Sequence, residues 1–551
     1  MTEYNNERDH QIGANILDNL TTGMYSDSKV IYREYIQNAC DQIDIAVKVG
    51  LLSEDTVKNQ CLVEIYIDQP NKNIRIIDYA TGIKSTQFKT ILGDIANSDK
   101  KIGENKGFRG IGRLAGLAYC DKLIFTSKYK DESNISIMEC DGALMRQLLQ
   151  ENYHHKQYTI FDVLDRIFSF STSEYNSISE HFFQVELVNV NFANRELLDV
   201  DEVREYLSFV APVPYSSKFY MSADIYKYAN DHGHKIDEYR IKVNGEELLK
   251  EYSCNYSSRG EVSDAIHGLE FQEFTNKNGE ELGWMWLAVT GYKGALPKTC
   301  KMRGLRLRKE NIQIGDDQIL VPLFSESRGA SYYIGEIFAT SPDLIPNSQR
   351  DNFNGNETRK DFESAIQSYI KRELDSIYRV GSELQSSIKK INKNYNDIST
   401  LQEKVKKVKY INDEDKVETE EKIKNLHQEN INILKKIKRF EPKQIDKPAT
   451  LKEKVYNIQI EALNSANYLG EDCNNNGDTI STHKGNDQEK KIGGNLVDLP
   501  VSKTFKHRTD RLSNLSKNDR KLIGRIYKVI KNNCDDKLAE QIISAIEDEF
   551  K

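Results

Sequence analysis

The sequence predicts an α+β protein of several domains: an N-terminal layered helix-and-sheet domain, a second α/β domain, and a helical C-terminal region. Three observations carry this. The chain has 551 residues, too many for one hydrophobic core, and lengths of this order divide into two to four domains. Its first 200 residues alternate helical and strand-like patterns, whereas after Arg359 the apolar spacing turns helical. Apolar residues at 38% and charged residues at 29% suit ordered domains joined to long solvated helices.

Taken in order, residues 1–200 contain two apolar runs, Leu62–Ile67 and Ile74–Ile77, joined by a polar turn, which read as adjacent strands. Residues 201–375 form the second unit, with strand candidates at Trp284–Val289 and Tyr332–Phe338. In residues 376–440 the apolar positions Ile391, Tyr395, Ile398, Val405 and Val408 fall three, four and seven apart, the spacing of a long helix or coiled coil. Asn412–Asp415 interrupts that line, so a helical hairpin is expected. Residues 441–506 lose periodicity and read as a polar linker. In 507–551, two stripes define a small helical module: Leu522, Ile523, Ile526 and Ile530, then Leu538, Ile542, Ile546 and Phe550.

No run of eighteen uncharged apolar residues and no secretory signal pattern is present, which sets the expectation of a cytoplasmic chain with no membrane partner. Eight cysteines are scattered without a C-x-x-C, against a disulfide framework or a zinc site. A net charge of −8 supplies no global attraction to nucleic acid.

The chemistry is concentrated early. Glu34, Asn38 and Asp41 lie at i, i+4 and i+7, within about 60° of one another on a helix. One face therefore presents a carboxylate, an amide and a second carboxylate. A carboxylate can polarise water for attack on a terminal phosphate, and an amide oxygen suits magnesium; taken alone, the same pattern also reads as a solvated helix face. Asp78 ends an apolar strand and is followed by a turn through Gly82 and Ile83. Such a carboxylate can accept from an adenine amino group while the glycine admits the base. Farther on, Gly107, Gly110 and Gly112, interleaved with Lys106, Phe108 and Ile111, lead into an apparent helix. Exposed amides there suit phosphate oxygens and a mobile lid.

These ingredients in this order resemble the GHKL ATPase superfamily. The likeness is greatest to the heat-shock-90 chaperones, through His10–Asp44, Ile91–Ser98 with Asn97 inside it, and Asp121–Lys128. The resemblance implies a Bergerat-type ATPase sandwich, then an α/β transducer-like (S5-like) domain and a helical or coiled-coil C-terminal region. It implies ATP with Mg2+, Glu34 as general base, Asn38 as the magnesium ligand, Asp78 as adenine anchor and Gly107–Gly112 as lid. The run Leu344–Phe353 is similar to the family's catalytic-arginine loop, which makes Arg350 the cation for the γ-phosphate. Two departures stand out: Tyr79 and Ala80 replace a small polar residue and a glycine, and no threonine backing Asp78 can be placed near Phe182–Leu187.

Two functional readings follow from this. The first is a heat-shock-90-like conformational ATPase, working as a homodimer on a protein partner or client. The second is a nucleic-acid-associated GHKL ATPase of the MORC or mismatch-repair type, of the kind found in anti-phage defence, with Lys404–Lys409 or Lys435–Arg439 on phosphate. The alternating arginines of Lys301–Lys309 are open to phosphate, acidic side chains or solvent. No phosphoacceptor-histidine helix or tyrosine cleavage domain accompanies the site, which sets aside histidine kinases and topoisomerases.

Overall fold

A computed structural model describes residues 12–21, 27–94, 112–153, 158–258, 262–292, 294–407, 410–438, 451–465, 508–512 and 514–550. Two compact units emerge, one of residues 1–290 with 295–375, the other of 291–294 with 376–551.

The first unit carries two sheets. Sheet one has eight strands: β1 Cys61–Asp68, β2 Asn73–Asp78, β3 Cys120–Lys128, β4 Asn134–Asp141, β5 Phe168–Glu174, β6 Phe182–Val190, β7 Arg240–Val243 and β8 Glu246–Glu247. Their order is β5-β4-β3-β6-β2-β1-β7-β8. β1 and β2 pair antiparallel, Glu64 opposite Ile77, as the two apolar runs predict. β1 also pairs parallel with β7, so the sheet draws strands from beyond residue 200. The helix Val30–Lys48 lies on β1 and β2. Ile31, Tyr35, Ile36 and Ile43 fill its inner face and share a core with Ile65, Ile76, Leu123 and Leu187. Asp27 Oδ1 accepts from Lys29 N at 2.9 Å ahead of the first turn. At its other end Gly50, with φ 74°, takes the left-handed position that closes helices.

Sheet two comprises β9 Asn255–Ser258, β10 Val262–Thr275, β11 Glu281–Thr290, β12 Gly304–Lys309, β13 Ile312–Ile314 and β14 Ile334–Ala339, ordered β13-β12-β14-β11-β10-β9. β11 contains the apolar run expected as a strand and extends beyond both its ends; the last strand starts two residues later than its run, because Tyr332 closes a 3-10 turn. β12 and β14 run parallel and are buried along their whole length, the condition parallel strands require. The alternating arginines of β12 turn to the protein's own acceptors. Arg308 Nε donates to Glu336 Oε1 at 2.6 Å, and Arg306 Nη1 donates to Gln313 Oε1 at 2.9 Å.

In the second unit the helices Asp375–Lys406 and Asp413–Lys438 form an antiparallel hairpin. Lys390 pairs with Glu429 and Lys404 with Asp415, and a buried amide contact joins Asn394 Nδ2 to Asn430 Oδ1 at 2.9 Å. Asn412 caps the second helix by accepting from Asp415 N at 2.9 Å. Within the expected linker, Leu451–Ser465 is a helix: Leu451, Val455 and Tyr456 are buried, an i, i+4, i+5 line that the surrounding polar residues obscure.

The C-terminal module corrects the expected stripes. Leu522, Ile526, Leu538 and Phe550 are exposed, while Ile523, Tyr527 and Ile543 are buried, and Ile530 and Ile546 pack against them. A strict i+4 line drifts about 40° per step around a helix, so a stripe drawn through every fourth residue leaves the buried face. No helix among the described residues is long and apolar enough to cross a membrane.

Candidate active site

The helix Val30–Lys48 sets the three expected side chains. Glu34 and Asn38 are half-buried, and Asp41, one turn farther, is buried. Gly112, which opens the 3-10 segment Gly112–Ala118, lies directly on this face. A Cβ built there would stand 2.6 Å from Glu34 Oε2, so only a glycine leaves the carboxylate its place. Arg33 lies on the other side of Glu34, with Nη2 3.6 Å from Oε1.

Arg350 comes to the same place from a distant part of the chain. It is buried at 3% exposure, and its loop is tied to the helix by Arg33 Nη2, which donates to the Gln349 carbonyl at 2.7 Å. Burial pulls the guanidinium below its usual range; Glu310 pushes it back most strongly, Arg33 opposes, and Glu34 and Asp41 add to the upward push. The arginine thus feels the charge of both carboxylates on the helix face. Gln37, one position before Asn38, is buried too, and its Oε1 has no hydrogen-bond partner among the described residues.

The end of β2 builds the other wall. Asp78 is buried, and its Oδ1 accepts from Ala80 N at 3.2 Å. Gly82 has φ 64°, and a Cβ there would lie 2.1 Å from the Lys128 carbonyl; both the conformation and the approach require glycine. Ile83 N donates to Ser127 Oγ at 2.7 Å, and Thr81 Oγ1 donates to Gln42 Oε1 at 2.9 Å, which binds this turn to the helix carrying Glu34. Across the sheet, Asp78 pairs with Phe183, so β6 offers no hydroxyl at that register and Ser127 on β3 supports the turn. Tyr79 packs against the edge of the core, its hydroxyl donating to Glu64 Oε2 at 2.9 Å.

Asn97, Lys106, Gly107, Phe108, Gly110 and Ile111 lie outside the described residues. The sequence reading passed over Arg33, Ser127 and Glu310. Arg33 sits beside Glu34 and could have been noticed as a cation adjoining a site carboxylate. Ser127, on β3, and Glu310, on the turn after β12, come from elsewhere in the chain, and no local pattern marks them. In the basic runs considered for nucleic acid, Lys404 is paired with Asp415, Lys407 with Glu403 and Lys436 with Glu383. These three cations already have carboxylate partners.

Residues 28–167 match the family described as histidine kinase-, DNA gyrase B-, and HSP90-like ATPase. The N-terminal domain is a GHKL-type ATPase domain. Curated relatives of this GHKL domain are chaperone proteins named HtpG. That of Rickettsia massiliae is 27% identical over 159 residues, 26% of this chain and 25% of its own length. That of Rickettsia canadensis is 28% identical over 162 residues, 26% and 25%. That of Halalkalibacterium halodurans is 26% identical over 141 residues, 23% and 22%. The chain thus spans about a quarter of the length of these relatives, and the family match over residues 28–167 takes in Glu34, Asn38, Asp41 and Asp78.

Proposed function

We propose that this chain is a heat-shock-90-like conformational ATPase: it hydrolyses ATP to ADP and phosphate, and the nucleotide couples lid closure and N-terminal pairing of two copies to a protein partner or client. The observation that carries the reading is the setting of Glu34. Its carboxylate is pressed on one side by Gly112, flanked on the other by Arg33, and shares its helix face with Asn38, while the buried Arg350 from the second sheet's end of the unit feels its charge.

In this reading Glu34 takes a proton from water as the water oxygen bonds to the γ-phosphorus. The bond from that phosphorus to the β,γ-bridging oxygen breaks, and its electron pair leaves on ADP. Arg350 offsets the charge that develops on the γ-phosphate oxygens, a task a buried guanidinium performs without reorganisation. Asp78, held by Ala80 N, accepts from the adenine amino group, and Gly82 leaves room for the base. Magnesium would be held by Asn38, half-buried one turn along the helix from Glu34, together with phosphate oxygens. When bound, it neutralises phosphate charge.

The test is ATP turnover by wild type, Glu34→Ala and Arg350→Ala, with nucleotide binding measured in parallel and with unfolded protein or DNA added. Glu34→Ala should bind ATP and turn it over at least roughly a hundredfold more slowly. Unchanged turnover in that variant overturns the mechanism, and stimulation by DNA that falls steeply with salt transfers the chain to the nucleic-acid class.

A further inference from the structure

Glu310 and Arg350 are both non-glycine residues in the left-handed region, with φ of 53° and 52°. Glu310 and Asn311, φ 59°, form the two-residue turn between β12 and β13, whose flanking pair is Lys309 and Ile312. Turns of this kind favour Asn, Asp and Gly. Asn311 conforms, and its side chain is engaged: Lys250 Nζ donates to its Oδ1 at 2.7 Å, and its Nδ2 donates to the Asp237 carbonyl at 2.6 Å. Glu310 is not among the residues such turns favour. Its charge attracts the adjacent Lys309, and its carboxylate meets Arg350, Oε2 to Nη2 at 3.9 Å.

The backbone of Arg350 is fixed from the same side. Gly315 N, just beyond β13, donates to the Arg350 carbonyl at 2.8 Å, and Arg350 N donates to the Asn347 carbonyl at 3.2 Å. A left-handed non-glycine residue persists only where its surroundings over-determine it, and such residues concentrate at functional sites. Here two of them face each other across one ion pair.

We propose that Glu310 is the positioning residue for Arg350, holding one edge of the guanidinium so that its other N–H groups stay aimed at the γ-phosphate. The inference rests on the reading of Arg350 given above. Its physical need is plain from the neighbours. Arg33 and Lys309 bring positive charge close to Arg350, and Glu34 and Asp41 attract it from the helix. Without Glu310, the attraction of Glu34 and Asp41 would draw the guanidinium toward the base it is meant to assist. A contact of 3.9 Å from a two-residue turn steers the guanidinium by charge rather than through a hydrogen bond.

Glu310→Asn tests this, since Asn suits a left-handed turn better than Glu and a purely structural role predicts equal or higher thermal stability with unchanged turnover. The expected result is an unchanged or raised Tm, a KM for ATP within about twofold, and a kcat lowered about ten- to hundredfold, the cost of a catalytic group displaced by an ångström or less. Combined with Arg350→Ala, it should produce no further loss. If Arg350→Ala slows turnover while Glu310→Asn keeps the wild-type kcat, or if the two losses multiply, positioning is refuted and the role of Arg350 stands. If Arg350→Ala itself is silent, the parent reading fails and this one with it.

Discussion

Gly112→Ala adds one methyl group at the point where the 3-10 segment meets the catalytic face. The built Cβ lies 2.6 Å from Glu34 Oε2, against the 3.4 Å at which ordinary contact begins, so about 0.8 Å must be found. The backbone does not resist alanine, because Gly112 lies outside the left-handed region. What yields is the end of the Glu34 side chain, which swings off the line to the attacking water. Displacements near 1 Å can cost about a hundredfold in rate, so kcat should fall by roughly ten- to hundredfold. The fold should hardly notice: alanine is the better helix former, and the moving atom belongs to a half-buried side chain. Phosphate release under saturating ATP, set beside a thermal melt, measures both. Wild-type kcat in a well-folded Gly112→Ala protein would show that the carboxylate seen against Gly112 is not the group that reacts.

Gly82→Ala combines a left-handed φ with a Cβ 2.1 Å from the Lys128 carbonyl, a backbone atom that cannot step aside. It should cost about 3 kcal/mol or more and abolish nucleotide binding; chemical denaturation that reads the same midpoint as wild type counts against the turn described. Glu336→Ala removes the fully buried carboxylate that holds Arg308 at 2.6 Å and Lys250 at 3.1 Å, and should destabilise the first unit by about 3–5 kcal/mol, the range for one partner lost from a buried pair. Those two cations hold the Glu336 carboxyl below its ordinary value of 4.5 against burial. A carboxyl depressed on folding contributes stability above its unfolded pKa and loses it as pH falls through the folded one. Urea midpoints of wild type should therefore decline below about pH 4.5 from this source, and a Glu336→Gln protein should show a shallower decline.

Much of this was legible in the sequence because local chemistry declares itself. The face of Glu34, Asn38 and Asp41 follows from helical spacing alone, and Asp78 and Gly82 from a strand running into a turn. The hairpin of the second unit was readable through Ile391 and Ile398, both buried, and through the cap at Asn412. What escaped depends on distant partners. Ser127 meets Ile83 only because β3 ends beside the turn, and Glu310 meets Arg350 only because two turns approach in space. The stripes of the last two helices hold at Ile523, Ile530 and Ile546 and miss Tyr527 and Ala539, which are buried but less apolar than the exposed Leu522 and Leu538.

Sheet two explains why the arginine is so firmly placed. Arg308, on the strand that leads into the Glu310 turn, donates through Nη1 to the Asn311 carbonyl at 2.9 Å and through Nη2 to the Phe209 carbonyl at 2.7 Å. Phe209 belongs to the helix Val200–Val210, which packs against Val30–Lys48. One buried guanidinium thus joins the turn that carries Glu310 to the helix that adjoins Glu34. Lys250, from the opposite side, reaches Asn311 and Glu336 together. A hydrophobic replacement of such a cluster is often as stable, so stability is a poor account of its presence. A network of directional bonds, each satisfied by one geometry, fixes the register between Glu34 and Arg350 more tightly than interchangeable apolar contacts would, and the proposed mechanism makes the rate sensitive to that register at the scale of an ångström.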